Sequence, residues 1–262
     1  MLKSNWRRIA FVSCLHAGST VAVWPEIFDV GDGIEICASQ KQLQILEYWN
    51  DFWSHEAADA DTIVLMGDLV QGKNPKDFGL GSMTTDLQVQ EDAAIALIGP
   101  HVNGRQVIGV SGSKYHDSFD TALDKNIIRR LGGRYMGMLK NIKVTGPDVM
   151  MNIAHGSSSP SMYKGSHDDR ELMLADSCST TRGINLMVRG HWHYYQYLEN
   201  SSNAILRVPG WQCWYPARFM IDMLGKKNNK FGAVTVDIGP SRNVVHRRLY
   251  EAPETWSAPE EI

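Results

Sequence analysis

Five times along this chain an apolar run of strand length closes on a residue able to bind a metal or carry a proton, with a glycine nearby. Arg8 to Ser13 runs into Cys14-Leu15-His16, and Asp61 to Met66 into Gly67-Asp68. Gln106 to Val110 runs into Ser111-Gly112-Ser113-Lys114-Tyr115-His116-Asp117. Val149 to Ile153 ends in Ala154-His155-Gly156, and Ile184 to Val188 leads to Gly190-His191-Trp192-His193. Short continuous apolar runs read as strands buried on both faces, and an open α/β sheet binds its ligands beyond the carboxyl ends of such strands. The repetition therefore predicts an α/β fold with one functional edge. His191 and His193, two residues apart after a strand, are expected to leave the backbone on one side, and imidazole is the commonest side-chain ligand for borderline divalent metals.

Helices fill the intervals. Leu43, Leu46, Trp49 and Trp53 recur at helical spacing, which predicts an amphipathic helix over 40–58 with its aromatics in the core. Thr85-x-x-Gln88 reads as a capping box for a helix through Ile98 that Gly99-Pro100 stops. Leu123, Ile127, Ile128 and Leu131 mark a helix over 118–131 closed by Gly132-Gly133, and a weaker one is expected over 167–181. Beyond His193 the pattern changes to strands at Tyr194 to Leu198, Ala204 to Val208, Ala233 to Ile238 and Val244 to Leu249. A βαβ-rich half followed by a β-rich half fits two packed sheets flanked by helices. Residues 24–39 and 71–84 read as long loops bordering the site, and the Pro- and Glu-rich tail from Ala252 as mobile.

Composition narrows the function. With 43% hydrophobic and 21% charged residues, 262 residues are expected to form one globular catalytic domain. A net charge of −3 argues against a broad electrostatic grip on duplex DNA or an anionic membrane, while leaving room for a local basic strip. Met1 to Arg8 lacks the apolar core of a secretory signal, and no stretch has the length of a membrane span. Cys14, Cys37, Cys178 and Cys213 have no paired spacing, so no disulfide framework is expected and the reducing cytoplasm is the natural compartment.

The ordered series Cys14-x-His16, Gly67-Asp68, Gly112-Ser113-x-x-His116-Asp117, His155-Gly156 and Gly190-His191-x-His193 resembles the calcineurin-like metallophosphoesterases. Their pattern is Asp-x-His, Gly-Asp, Gly-Asn-His-Asp/Glu, His and Gly-His-x-His, and the likeness covers roughly residues 8–200. Ser13-Cys14-Leu15-His16-Ala17-Gly18-Ser19 also resembles the opening of a phage and prophage branch, in which the third motif takes a similarly lengthened form. The resemblance implies a four-layer α/β/β/α sandwich of two mixed sheets flanked by helices. It also implies a dinuclear metal centre that hydrolyses phosphodiester or phosphomonoester bonds with metal-bound hydroxide. Carried over residue by residue, one ion would take Cys14, His16, Asp68 and His193, and the other Asp68, His155, His191 and Ser113, with Asp68 shared. His116 matches the histidine beside the leaving-group oxygen, where it could donate a proton, and Asp117 could orient it.

Two departures bear on the metals. Cys14 stands where the family has Asp, and a thiolate favours zinc or iron over magnesium or manganese; alternatively Cys14 is a small buried hydrophobe and the first site is weak or lost. Ser113 is a poor ligand, with two additional residues before His116. The expected cofactors are two ions drawn from zinc, iron or manganese.

Substrate choice is less constrained. Lys114 and Tyr115, inside the third motif, are candidates for a phosphoryl oxygen and a base. The run Gly210 to Arg218 could wall a nucleobase pocket with Arg218 on a phosphate, or simply pack a loop. Trp192 reads as packing, and His246-Arg247-Arg248 as the solvated end of a strand. The expected partner is a phosphate ester, nucleotides and nucleic acids included, and not a membrane. A DNA nuclease of phage-type replication or repair, and a non-catalytic scaffold with a degenerate metal site, are the alternatives.

Overall fold

The Val- and Ile-rich runs form the inner strands of two mixed sheets. The computed structural model describes residues 5–73, 79, 81–116, 122–156, 165–175, 177–179, 181–213, 230–240 and 243–252. In the first sheet β1 (Arg7–Val12) lies parallel to β4 (Thr62–Leu65), followed by β5 (Gln106–Gly109) and the short β6 (Arg134–Tyr135). On its other side β12 (Lys230–Ile238) and β13 (Asn243–Glu251) run antiparallel. The second sheet has the order β10 (Gln196–Glu199), β11 (Ala204–Arg207), β9 (Leu186–Arg189), β8 (Val149–Ala154), β7 (Leu139–Val144), with β11, β9 and β8 parallel.

Strand alternation assigns each face its neighbour. Ile9, Phe11, Val64 and Met66 of the first sheet meet Met151, Ile153, Val188 and Leu206 of the second in one buried core. Ala10, Val12, Ile63 and Leu65 point the other way, onto α1 (Gln40–Ser54), α2 (Leu87–Ile98) and α3 (Leu123–Arg130). Met187 and Ile205 on the far face of the second sheet meet Leu172 and Ala175 of α4 (Ser166–Ala175). Each fully buried Leu, Ile, Val or Phe contributes roughly 1.5–3 kcal/mol, so these seams dominate the stability.

Several local readings are corrected. The buried stripe of α1 is Gln42, Ile45, Trp49, Phe52 and Trp53: Trp49 and Trp53 lie in the core as expected and Leu46 packs half-buried against it, but Gln42 and Ile45 take the inward positions ahead of Leu43. A capping box of Ser39 and Gln42 starts that helix, and the Gln42 amide also donates to the carbonyls of Ser19 and Ala22. Asp86, not Thr85, caps α2 by accepting from Gln88 and Val89, and the chain passes Gly99-Pro100 in one 3₁₀ turn. The expected loop at 24–39 contains a hairpin of β2 (Ile27–Gly31) and β3 (Ile34–Cys37), whose polar, half-exposed pattern hid it. His246, Arg247 and Arg248 lie mid-strand in β13, where His246 pairs with Asp237 and Arg248 with Asp51. None of the four cysteines is in a disulfide, and no described helix is long and apolar enough to cross a membrane.

Candidate metal centre

The carboxyl ends of β1, β4, β5, β8 and β9 converge across both sheets. Cys14 N–H donates to the Gly67 carbonyl and His16 N–H to that of Asp68, both at 3.0 Å, while Gly190 N–H reaches the His155 carbonyl at 3.0 Å. Each end then turns sharply. Among the described non-glycine residues with positive φ are Cys14 (51°), His16 (48°), Asp68 (52°), His191 (72°) and His193 (55°). Left-handed backbone costs a residue bearing a Cβ about 1–2 kcal/mol, and it persists where the surroundings over-determine it, as at binding sites. Its concentration on five of the expected ligands turns their side chains into one space.

Two glycines make the approach possible. A Cβ on Gly112 would overlap Asp68 Oδ1, and one on Gly190 would overlap Ser13 Oγ and lie 3.3 Å from His155 Nδ1. Neither residue is there for chain flexibility; the space belongs to the neighbouring donors.

The donors form two groups on either side of Asp68. In one, ligand atoms of Cys14, His16 and His193 lie within 4.8 Å of one another, and His16 Nε2 faces His193 Nε2 at 3.2 Å. In the other, His155 Nε2 is 2.8 Å from Asp68 Oδ2 and 3.2 Å from His191 Nδ1, and His191 Nδ1 is 4.0 Å from that carboxylate. Cys14, Asp68 and His155 also fall within 4.8 Å, as do His16, Asp68 and His116. Two imidazole nitrogens on one tetrahedral zinc stand about 3.3 Å apart, given bonds of about 2.0–2.1 Å. Both imidazole pairs have that separation.

A cation fits the chemistry of these donors. His16 Nδ1 is buried with no hydrogen-bond partner among the described residues. His155 donates Nδ1–H to the Met66 carbonyl at 2.6 Å, which turns its Nε2 into the site toward Asp68. A ring N–H on a backbone carbonyl is the usual outer support of a metal-binding histidine. His116 likewise places Nδ1 2.6 Å from the Gln71 carbonyl and sets its ring edge-on to His16, with centroids 4.3 Å apart.

Burial and the crowding of imidazoles, a carboxylate and a thiol shift the titration of every group in this centre whose shift is resolved. Burial would raise the Asp68 pKa, but the His155 and His191 imidazoles overcome it and hold the carboxyl well below the usual range. Burial would lower that of His155, but Asp68 outweighs it and raises it. Burial, with the neighbouring imidazoles, lowers His16 well below the ordinary value and His193 to about 4. Burial and the Asp68 carboxylate push the Cys14 thiol up, so without a cation beside it this sulfur stays protonated.

Of the residues expected from sequence, Cys14, His16, Asp68, His116, His155, His191 and His193 are brought together. Ser113 meets Asp68 directly, donating N–H to Oδ1 at 2.6 Å and its hydroxyl to Oδ2 at 3.3 Å. Lys114 and Tyr115 are exposed beside it, whereas Asp117 and Arg218 lie outside the described residues. Trp211 is not a pocket wall: it is fully buried against Trp49, Phe52 and Phe231. Trp192 lies under the Arg207 guanidinium, 4.0 Å from its ring centroid.

Sequence reasoning missed the supports. Asp124, fully buried, accepts from the backbones of Asp68, Leu69 and Gly112. Gln90 clamps Gly72 through its N–H and carbonyl, fixing the chain next to Gln71. An acid in the first turn of α3 was visible in sequence, but it reads there as a helix-dipole residue. A further group, His167, Asp168 and Glu171, is engaged by arginines: Asp168 holds Arg207, and Glu171 holds Arg189 at 2.5 Å.

No family model matches the chain, and no curated protein does. Among solved structures it is similar to Vps29 of Chaetomium thermophilum, at 9% identity over 94% of this chain and 100% of that one, with a TM-score of 0.48. It is similar to a novel archaeal phosphodiesterase at 12% identity, over 91% of this chain and 98% of that one, with a TM-score of 0.46. A Vps29 of Entamoeba histolytica complexed with zinc aligns at 12% identity over 94% and 99% of the two chains, with a TM-score of 0.45.

Proposed function

We propose that this chain is a calcineurin-like metal-dependent phosphoesterase with a two-ion centre. Cys14, His16, Asp68 and His193 would hold one ion, and Asp68, His155 and His191 the other. The observation that carries the reading is the pair of donor groups meeting at Asp68, each containing two imidazole nitrogens 3.2 Å apart. The Cys14 sulfur favours zinc or iron at the first position.

Bound there, two cations would neutralise the phosphoryl oxygens of an ester and make a nucleophilic water available near neutral pH. The residues of the chain do the rest. Ser113 N–H and hydroxyl hold the Asp68 carboxylate in one orientation. The Met66 carbonyl fixes the His155 ring. His116, oriented through the Gln71 carbonyl, is the candidate to give a proton to the departing oxygen. Among esters, phosphodiesters and small phosphomonoesters suit a centre open at the Lys114–Tyr115 rim.

The test is hydrolysis of bis-p-nitrophenyl phosphate by the full chain loaded with zinc, iron or manganese. The reading expects hydrolysis that a chelator abolishes and that Asp68→Asn lowers at least about 100-fold. Metal bound at full occupancy with no hydrolysis in any loading would overturn it and favour a scaffold.

A further inference from the structure

The metal centre leaves one strongly charged surface of the molecule unexplained. Two adjoining clefts of about 470 Å³ each lie where β6, the edge of the first sheet, meets β7, the edge of the second. Arg105, Arg129 and Arg134 line the first, and Arg134, Lys140 and Lys143 the second, with Tyr135 in both. No carboxylate is among the described residues lining either cleft. Lys143 pairs with Asp148, and Arg105 donates to the His101 and Ala58 carbonyls. Arg129, Arg134 and Lys140 have no ion-pair partner among the described residues, whereas Arg130, next along α3, holds both Glu91 and Asp92. In a chain of net charge −3, such a cluster of uncompensated cations is a local feature.

The seam leads to the centre. Leu139 pairs with Ala154, the residue before His155, so Lys140 begins one position from a ligand-bearing strand end. Ser111 N–H donates to the Gly137 carbonyl at 3.0 Å, and its hydroxyl meets Tyr135 OH at 2.6 Å. Ser111 precedes Gly112, which packs on Asp68. From there the cations run back along β5, whose length puts the far cleft roughly 10–15 Å from the centre's wall. Toward the centre Tyr115 and Met138 are exposed, with the exposed Lys114 next to Tyr115, while Lys140 shares the face of β7 that carries Ile142.

We propose that the β6–β7 seam is a track for the backbone of a single-stranded nucleic acid, carrying one of its phosphodiesters to the metal centre. This rests on the phosphoesterase reading and names its substrate class. Cations in line beside exposed aromatic and aliphatic side chains suit a strand whose bases are unstacked and free to lie on them. A duplex hides its base faces and demands a broader positive surface than the described residues present.

The experiment is equilibrium binding of a fluorescein-labelled oligo-dT of about 12 nucleotides to the full chain, across a salt series. The double variant Arg134→Gln/Lys140→Gln is expected to bind at least about 10-fold more weakly. Its log–log salt slope should be shallower by about 1.4, roughly 0.7 for each phosphate that the variant no longer neutralises. Unchanged affinity in a variant with the wild-type circular dichroism spectrum would overturn the track, as would tighter binding of a duplex of equal length. Should the variant not fold, acetylation of Lys140 in the wild type decides: protection by the oligonucleotide supports the track, and none overturns it. Absence of bis-p-nitrophenyl phosphate hydrolysis beside seam-dependent binding would remove the phosphoesterase reading and keep the binding surface.

Discussion

Asp124 holds the backbone of Asp68: its carboxylate accepts the Asp68 N–H at 3.1 Å, together with those of Leu69 at 2.9 Å and Gly112 at 2.7 Å. The strand-end turn that presents the shared carboxylate is thus pinned from inside the protein, by an acid that is itself fully buried. Asp124→Asn replaces an acceptor-only group with one that must point a donor at some of these N–H groups. The expected result is a loss of about 2 kcal/mol of stability and a 10–100-fold weaker hold on metal. Chelator competition measures the second quantity, and wild-type metal affinity in the variant would contradict the role.

Ser13 Oγ fills the space beside Gly190 that a Cβ would need. A Cβ at 190 would overlap Ser13 Oγ, so Gly190→Ala must push apart the β1 and β9 ends that carry Cys14 and His191. We expect a loss of about 1–3 kcal/mol in urea unfolding, with reduced metal content. Adding Ser13→Ala should recover part of it, because the two substitutions meet at one contact. Strict additivity in the double variant would place the strain elsewhere.

The strand ends were the most legible part of this sequence because each couples two independent signals, a buried apolar run and a ligand-type residue at its end. All five such runs became strands, and seven of the expected site residues lie together. What could not be read was what holds them. Asp124 is separated from Asp68 by 56 positions, and its role arises only when α3 packs beside the β4 end. The edge strand β7 was missed because Leu139 to Val144 is interrupted by lysines and asparagine, a pattern set by its exposed position. The α1 stripe was legible at Trp49 and Trp53 but not at its start, where a glutamine, Gln42, takes an inward position through its hydrogen bonds, which hydrophobic periodicity does not register. Left-handed backbone at Cys14, His16, Asp68, His191 and His193 had no sequence signal, since none of them is the glycine that conformation favours.

Asp237 offers a pH-dependent test of the fold remote from the candidate metal centre. Burial would raise its pKa, but hydrogen bonds from Arg8 at 2.6 and 2.7 Å and the contact with His246 hold it below 3.8. Because the folded pKa is depressed, the unfolded chain takes up the proton first as pH falls. The stabilisation is therefore complete above the ordinary carboxylate range and is lost as pH drops through the folded value. Asp237→Asn should cost about 2 kcal/mol at pH 7, and its difference from wild type should shrink between about pH 5 and pH 3. A difference that grows on acidification would contradict the assigned direction.

Cys14 sets this centre apart, and its buried thiol needs a cation beside it to ionise. The decisive measurement is metal content per chain in protein purified without chelator, for the wild type and for Cys14→Ala. Two ions per wild-type chain, falling to about one in the variant, is the result expected if Cys14, His16 and His193 form a site distinct from that of His155 and His191. Two ions in both proteins would remove Cys14 from the ligands, and one or none in both would contradict a two-ion centre.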